Sequence, residues 1–162
     1  MSEQNIQSKS QLAKLLATEN ISFQHDPSAR TAYFDVKNRI LVLPVWQNIS
    51  NDLYDMLVVH EVGHALGLWH EQSRNDRDEF IRINWENIEE DYRYNFDQHL
   101  NDGQDYGDYD YDSIMHYPAD AFSKNGKKTI LPLIDGVEIG QRDHLSERDI
   151  TAVNAMYPAS GG

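Results

Sequence analysis

The sequence predicts an α+β fold: one domain of two small lobes, with a modest sheet near the N-terminus. Three observations predict it. Strand-like alternation is confined to the first third of the chain, helical periodicity and irregular loops follow it, and the two never alternate as βαβ units. A length of 162 residues suits one hydrophobic core or two lobes sharing a cleft, and no internal repeat or low-complexity linker divides it.

Taken in order, residues 9 to 19 repeat Leu12, Leu15 and Leu16 at helical spacing, with Asn20 as a stop before a short strand near Ile21 to His25. Thr31 to Val36 alternates Ala32, Phe34 and Val36 with Tyr33 and Asp35. Lys37-Asn38 makes a tight turn and Arg39 to Leu43 is β-rich, so the two runs form a hairpin that Pro44 ends. Ser50-Asn51-Asp52 supplies N-cap chemistry for a helix carrying Leu53, Met56, Leu57, Val59 and Val62 and running to about Gly67. After an irregular charged stretch, a helix is expected near Asn84 to Leu100 with Trp85, Ile88, Tyr92 and Phe96 on one face. An acidic, tyrosine-rich loop runs from Asn101 to Asp112. It lacks the ordered spacing of an EF-hand and reads as a solvated lead into Ser113-Ile114-Met115. Ser146-Glu147-Arg148-Asp149 resembles a capping box, with Asp in place of Glu. It opens a last helix with Ile150, Val153 and Met156 on one face before Pro158.

Charge and composition bound the chemistry. With 27 Asp+Glu against 14 Lys+Arg the formal net charge is -13, so phosphate backbones and anionic lipid surfaces are repelled. No apolar run approaches the roughly 18 residues of a membrane span, and the opening MSEQNIQSKS lacks the apolar region of a secretory signal. There is no cysteine, so a bound metal must be held by histidine and carboxylate.

His60-Glu61-Val62-Gly63-His64 sets two imidazoles one helical turn apart on one face, where both can reach one metal. Gly67 follows three residues later, a position where positive φ can end the helix and turn the chain back, bringing His70 in as a third nitrogen ligand. Three histidines leave a coordination position open for water, whose pKa falls to roughly 7 on zinc, and Glu61 beside the first ligand can take its proton. Hydrolysis is the reaction this implies. Five such residues alone arise by chance on a solvated helix face; adding Gly67 and His70 at metzincin spacing makes chance a poor account.

His60 to His70 runs directly into Glu71, then Arg74, Asp76, Arg77 and Asp78. This resembles the signature HExxHxxGxxHExxRxDRD of the astacin family of zinc metalloendopeptidases, within the metzincin clan. Further astacin-like positions follow in order: Asn87-Ile88, Asn95-Phe96, Tyr109-Asp110-Tyr111, Ser113-Ile114-Met115-His116-Tyr117, Ala121-Phe122-Ser123, Thr129-Ile130, Ile139-Gly140-Gln141-Arg142 and Leu145-Ser146. The likeness spans about residues 58 to 157. Upstream, the run from Arg39 to Leu66, including LVLPVW and NDLYDMLV, is weakly similar to small metallopeptidases of tailed phages.

The resemblance implies a two-lobed zincin with a reduced N-terminal sheet. Residues 1–67 would form an upper lobe with the sheet and zinc helix; residues 68–162 would form a lower lobe with the third histidine, the Met-turn and the last helix. Substrate would lie extended along the cleft, hydrogen-bonded by an edge strand. It implies Zn2+ held by His60, His64 and His70 with Tyr117 as a fifth ligand, Glu61 as general base and Met115 as the Met-turn floor. Tyr117 would leave the metal on substrate binding and support the oxyanion. Glu71 corresponds to a residue that meets the mature N-terminus in astacins, with pairing to a local Arg as the alternative. Arg142 corresponds to an S1′ position favouring an acidic P1′ side chain, with pairing to Asp143 or Asp149 as the alternative. A monomeric endopeptidase acting on protein or peptide substrates is expected, with neither nucleic acid nor membrane as partner. The rival is a catalytically silent zinc-binding or interaction module on the same scaffold. The family points to secretion, whereas the missing signal and cysteines point to the cytoplasm or to a mature or engineered chain.

Overall fold

The computed structural model describes residues 22–26, 33–35, 37–38, 40–44 and 51–158; the helix expected over residues 9 to 19 lies outside them. The chain groups into two compact units, Met1–Leu68 with Arg142–Gly162, and Trp69–Gln141. The C-terminal segment, expected with the second lobe, therefore groups with the first unit.

In the first unit, β1 (Ser22–Asp26), β2 (Tyr33–Asp35) and β3 (Ile40–Pro44) form a sheet in the order β1-β3-β2. The expected hairpin is present, with β2 antiparallel to β3 and Phe34 opposite Leu41. Its turn is fastened by Asp35, whose carboxylate accepts from the Asn38 backbone N–H at 3.1 Å and side-chain amide at 2.8 Å. Those bonds favour the charged form and hold the Asp35 carboxyl below its usual range. β1 pairs parallel to β3, Ser22 opposite Ile40, a pairing that no local pattern announces.

Helix α1 (Asn51–Ala65) packs on β2 and β3. Its buried Val59 and Val62 lie one turn apart, with Ala65 and Leu66 continuing the apolar surface and Val42 buried in β3. Helix α2 (Glu147–Met156) starts at the expected capping box. Ser146 Oγ accepts from Asp149 N at 2.9 Å and Asp149 Oδ2 accepts from Ser146 N at 3.0 Å, a cap worth ~1 kcal/mol. Of the expected apolar face Val153 is buried, while Met156, at the helix end, stays 43% exposed. Just beyond it Tyr157 OH donates to Leu66 O at 3.1 Å, tying the end of α2 to the end of α1.

The second unit corrects two expectations. Strands are not confined to the first third: β4 (Ile81–Ile83) pairs antiparallel with β5 (Ile130–Pro132), burying Ile81, Ile83 and Ile130 and leaving Arg82 outside. Nor does an α-helix span residues 84 to 100. Two 3-10 segments, Trp85–Asn87 and Glu90–Phe96, are separated by extended Ile88, which bridges to Ser123. The loop following residue 118 draws the backbone away from helical pairing. Glu89 N–H donates to Phe122 O, Lys124 N–H donates to Asn87 O, and the Asn84 and Asn87 side chains both donate to Lys128 O. Ile88 and Phe96 are fully buried, whereas Trp85 and Tyr92 remain 41% and 40% exposed, so the four do not share one face. Ile88 and Phe96 instead join Ile81, Ile83, Tyr109 and Ile130 in the core of this unit.

Two arginines stitch its loops. Arg74 forms a two-pronged pair with Asp76 and donates to Tyr106 O and Gly107 O. Buried Arg77 donates from Nη1 to Gln72 O at 3.0 Å and Phe96 O at 2.6 Å. Arg77→Ala would strand both carbonyls, and each buried orphan costs ~1–3 kcal/mol. Urea unfolding of the variant should show a loss of about 3 kcal/mol, and a change below ~0.5 kcal/mol would show that neither carbonyl depends on the guanidinium.

Candidate metal centre

Helix α1 carries His60 and His64 one turn apart, their rings edge to face with centroids 4.8 Å apart. The helix then stops in a Schellman arrangement. Gly67 N–H donates to His64 O at 3.0 Å, Leu68 N–H donates to Gly63 O at 2.9 Å, and Gly67 adopts φ +100°, a conformation that costs a side-chain-bearing residue strain. Along this segment the ligand nitrogens of His60, His64 and His70 all lie within 4.8 Å of one another. They are the one such cluster among the described residues.

The tautomer of His64 is set by the same turn. Its Nδ1 lies 2.9 Å from Leu68 O, a carbonyl that only accepts, so Nδ1 carries the proton and Nε2 is left for a metal. Burial lowers the His64 pKa, the hydrogen bond to Leu68 opposes that, and the nearby Arg142 charge adds to the lowering. The ring is therefore neutral, as a ligand must be. Three imidazoles without a thiolate, one with its outer nitrogen already engaged, fit a zinc ion.

Glu61 is half-buried between the two helical histidines in sequence. Burial pushes its carboxyl up to about 7, against the downward pull of the Arg142 charge. Arg142, half-buried in the same unit, therefore acts electrostatically on both Glu61 and His64.

In the second unit Met115 is buried at 1% exposure, its N–H donating to Ser113 Oγ and its O accepting from Glu71 N. The Tyr117 ring lies with its centroid 4.4 Å from that of His70. Glu71 Oε1 accepts from Asp110 N–H at 2.7 Å and stands 3.6 Å from Arg74 Nε. Three residues that sequence reasoning did not single out complete the surroundings. Fully buried Gln72 accepts the Tyr117 N–H at 3.0 Å, and fully buried His116 pairs through Nδ1 with Tyr117 O at 2.8 Å and through Nε2 with Tyr109 OH at 2.7 Å. His116 and Tyr109 stand inside motifs already noted, and their polarity amid apolar neighbours was the available signal.

A sequence profile of the astacin peptidase family matches residues 48–158. Zinc metalloproteinase nas-13 of Caenorhabditis elegans is 52% identical over 103 residues, 62% of this chain and 23% of that protein. High choriolytic enzyme 1 of Oryzias latipes is 48% identical over 112 residues, 68% of this chain and 41% of that one. The solved structure of that enzyme, a hatching enzyme zinc-protease, superposes with a TM-score of 0.70 at 39% identity, covering 85% of this chain and 68% of the other. Myroilysin superposes with a TM-score of 0.61 at 21% identity over 85% and 72% of the two chains, a likeness of fold. The chain spans less than half the length of the curated relatives it matches here.

The carboxyl of Glu61 yields a stability test in metal-free protein. With a folded pKa near 7 against an ordinary 4.5, folded Glu61 keeps a proton that the unfolded chain has released, so its contribution is present below pH 4.5 and is lost as pH rises through about 7. Gln cannot ionise. The stability of Glu61→Gln relative to wild type should therefore climb by at most ~3 kcal/mol between pH 4.5 and 8 in urea titrations. A pH-independent difference would mean that Glu61 titrates as an ordinary solvated carboxyl.

Proposed function

Because the chain belongs to the astacin family of peptidases, we propose that it is a zinc-dependent endopeptidase, acting as a monomer on protein or peptide substrates, with neither nucleic acid nor membrane as a partner. The observation that carries this reading is the gathering of three imidazole nitrogens within 4.8 Å on a segment that also bears Glu61. His60, His64 and His70 are the ligands, and Tyr117 is a fifth, drawn from beside His70. What zinc supplies when bound is Lewis acidity toward a carbonyl and a lowered pKa, toward about 7, for water.

The chain's own residues do the rest. Glu61 takes the proton of the attacking water and hands it to the departing amine. The Tyr117 hydroxyl donates a hydrogen bond to the developing oxyanion. Met115 is the methionine of the Met-turn in this reading, its flexible thioether buried within the second unit. Metal analysis after dialysis should find about one zinc per chain in wild type and in Glu61→Gln, and loss of it in His64→Ala and His70→Ala. Glu61→Gln should meanwhile lose roughly 10²-fold to 10⁴-fold in turnover of a quenched-fluorescence peptide. Near-normal turnover in Glu61→Gln, or tight zinc in both histidine variants, would sink the proposal.

Arg142 sets substrate choice in this reading, as the cation that an acidic P1′ side chain pairs with. Its support is electrostatic: Arg142 acts on Glu61 and His64, so its charge is felt where the chemistry takes place. A pocket contact of this kind outlasts the repulsion from a surface of net charge -13, which salt screens over about 8 Å at physiological ionic strength. Peptide-library cleavage should show Asp and Glu enriched at P1′ in wild type and not in Arg142→Ala. Equal enrichment in both would return Arg142 to a structural role.

A further inference from the structure

Tyr117 is gripped by its backbone on both sides. Its N–H donates to Gln72 Oε1 at 3.0 Å and its C=O accepts from His116 Nδ1 at 2.8 Å, and both gripping side chains are wholly buried. A carbonyl only accepts, so Nδ1 of His116 carries the proton; in the neutral ring Nε2 then accepts from Tyr109 OH at 2.7 Å. Tyr109 is itself fixed, 3% exposed, its ring stacked on Phe80 at 4.8 Å with the Arg74 guanidinium 5.8 Å from its centroid. Its neighbour Asp110 is held by Glu71.

The grip joins the segment after His70 to the segment that carries Tyr117. Glu71 N–H donates to Met115 O and Gln72 receives Tyr117 N–H, two ties that run alongside the 4.4 Å approach of the His70 and Tyr117 rings. The residue after Tyr117 is closely approached as well: a Cβ at Gly140 would overlap the Cα and N of Pro118, so only glycine fits there. Packing alone does not account for Gln72. Its Nε2 has no hydrogen-bond partner among the described residues, a cost of ~1–3 kcal/mol that an apolar side chain of the same size avoids, so the amide is placed there for its acceptor oxygen.

We propose that Gln72, His116 and Tyr109 are positioning residues: a buried clamp on the Tyr117 backbone that holds its phenol in register with His70. This rests on the role given to Tyr117 above. It predicts that Tyr109 acts on turnover only through Tyr117.

Two measurements test it. In metal-free protein the Tyr117 amide should exchange with deuterium at least ~10-fold faster in Tyr109→Phe than in wild type, an acceleration greater than that of core amides far from the clamp, which report the general loss of stability from the orphaned His116 Nε2. In zinc-loaded protein Tyr109→Phe should lower kcat by roughly five- to tenfold, the worth of about one hydrogen bond, with KM within about twofold. Added to Tyr117→Phe the same change should cost nothing further. Unchanged exchange, or a loss that persists undiminished in the Tyr117→Phe background, overturns the clamp and leaves the role of Tyr117 standing. Full turnover in Tyr117→Phe alone overturns that role and the clamp's purpose together. Should Tyr109→Phe fail to fold, Gln72→Met combined with Tyr117→Phe reads the opposite side of the clamp by the same criteria.

Discussion

An α-helix brings side chains to one point only within a turn or so of each other. Had α1 continued straight, His70 would lie ten residues and about 15 Å along the axis from His60, far beyond sharing an ion with it. The left-handed turn at Gly67 is what brings the third nitrogen within 4.8 Å of the others. That one turn also exposes Leu68 O to His64, so the conformation that ends the helix sets the tautomer of a ligand at the same time. Chain reversal and imidazole chemistry are thus one structural event, and a side chain at residue 67 would strain both.

The eight residues after His70 make the family resemblance specific, yet most of their side chains are engaged in holding loops. Arg74 closes on Asp76 and two carbonyls, Arg77 on Gln72 O and Phe96 O, and Glu71 on Asp110. In a chain of net charge -13 the two cations are spent inward, where each satisfies backbone oxygens that no helix or sheet covers. The 3-10 turn that carries Gln72 is therefore fixed by a guanidinium, and the acceptor offered to Tyr117 is fixed with it.

What could be read from the sequence was what is settled locally. The i, i+4 spacing of His60 and His64, the reciprocal bonds of Ser146 and Asp149, and the Asp35–Asn38 bonds that fasten the hairpin turn each depend on groups within four residues of one another. What could not be read depends on distant partners. Trp85, Ile88, Tyr92 and Phe96 have helical spacing, but the loop after residue 118 supplies competing donors and acceptors and splits the run into 3-10 segments. β4 was hidden because three residues of alternation, Ile81-Arg82-Ile83, are too few to signal a strand without β5, which lies more than forty residues away. The clamp on Tyr117 was hidden for the same reason: Gln72 and Tyr117 are 45 residues apart and meet only after folding.

Arg142 joins substrate choice to proton transfer under the proposed reading. Its positive charge opposes the effect of burial on Glu61, favouring the ionised carboxyl that a base requires. A carboxylate at P1′ that pairs with Arg142 cancels part of that charge and adds a negative one nearby, and both changes push Glu61 toward its protonated form. The contact that would select an acidic substrate thus leaves less Glu61 ionised, while making the carboxylate that remains a stronger base.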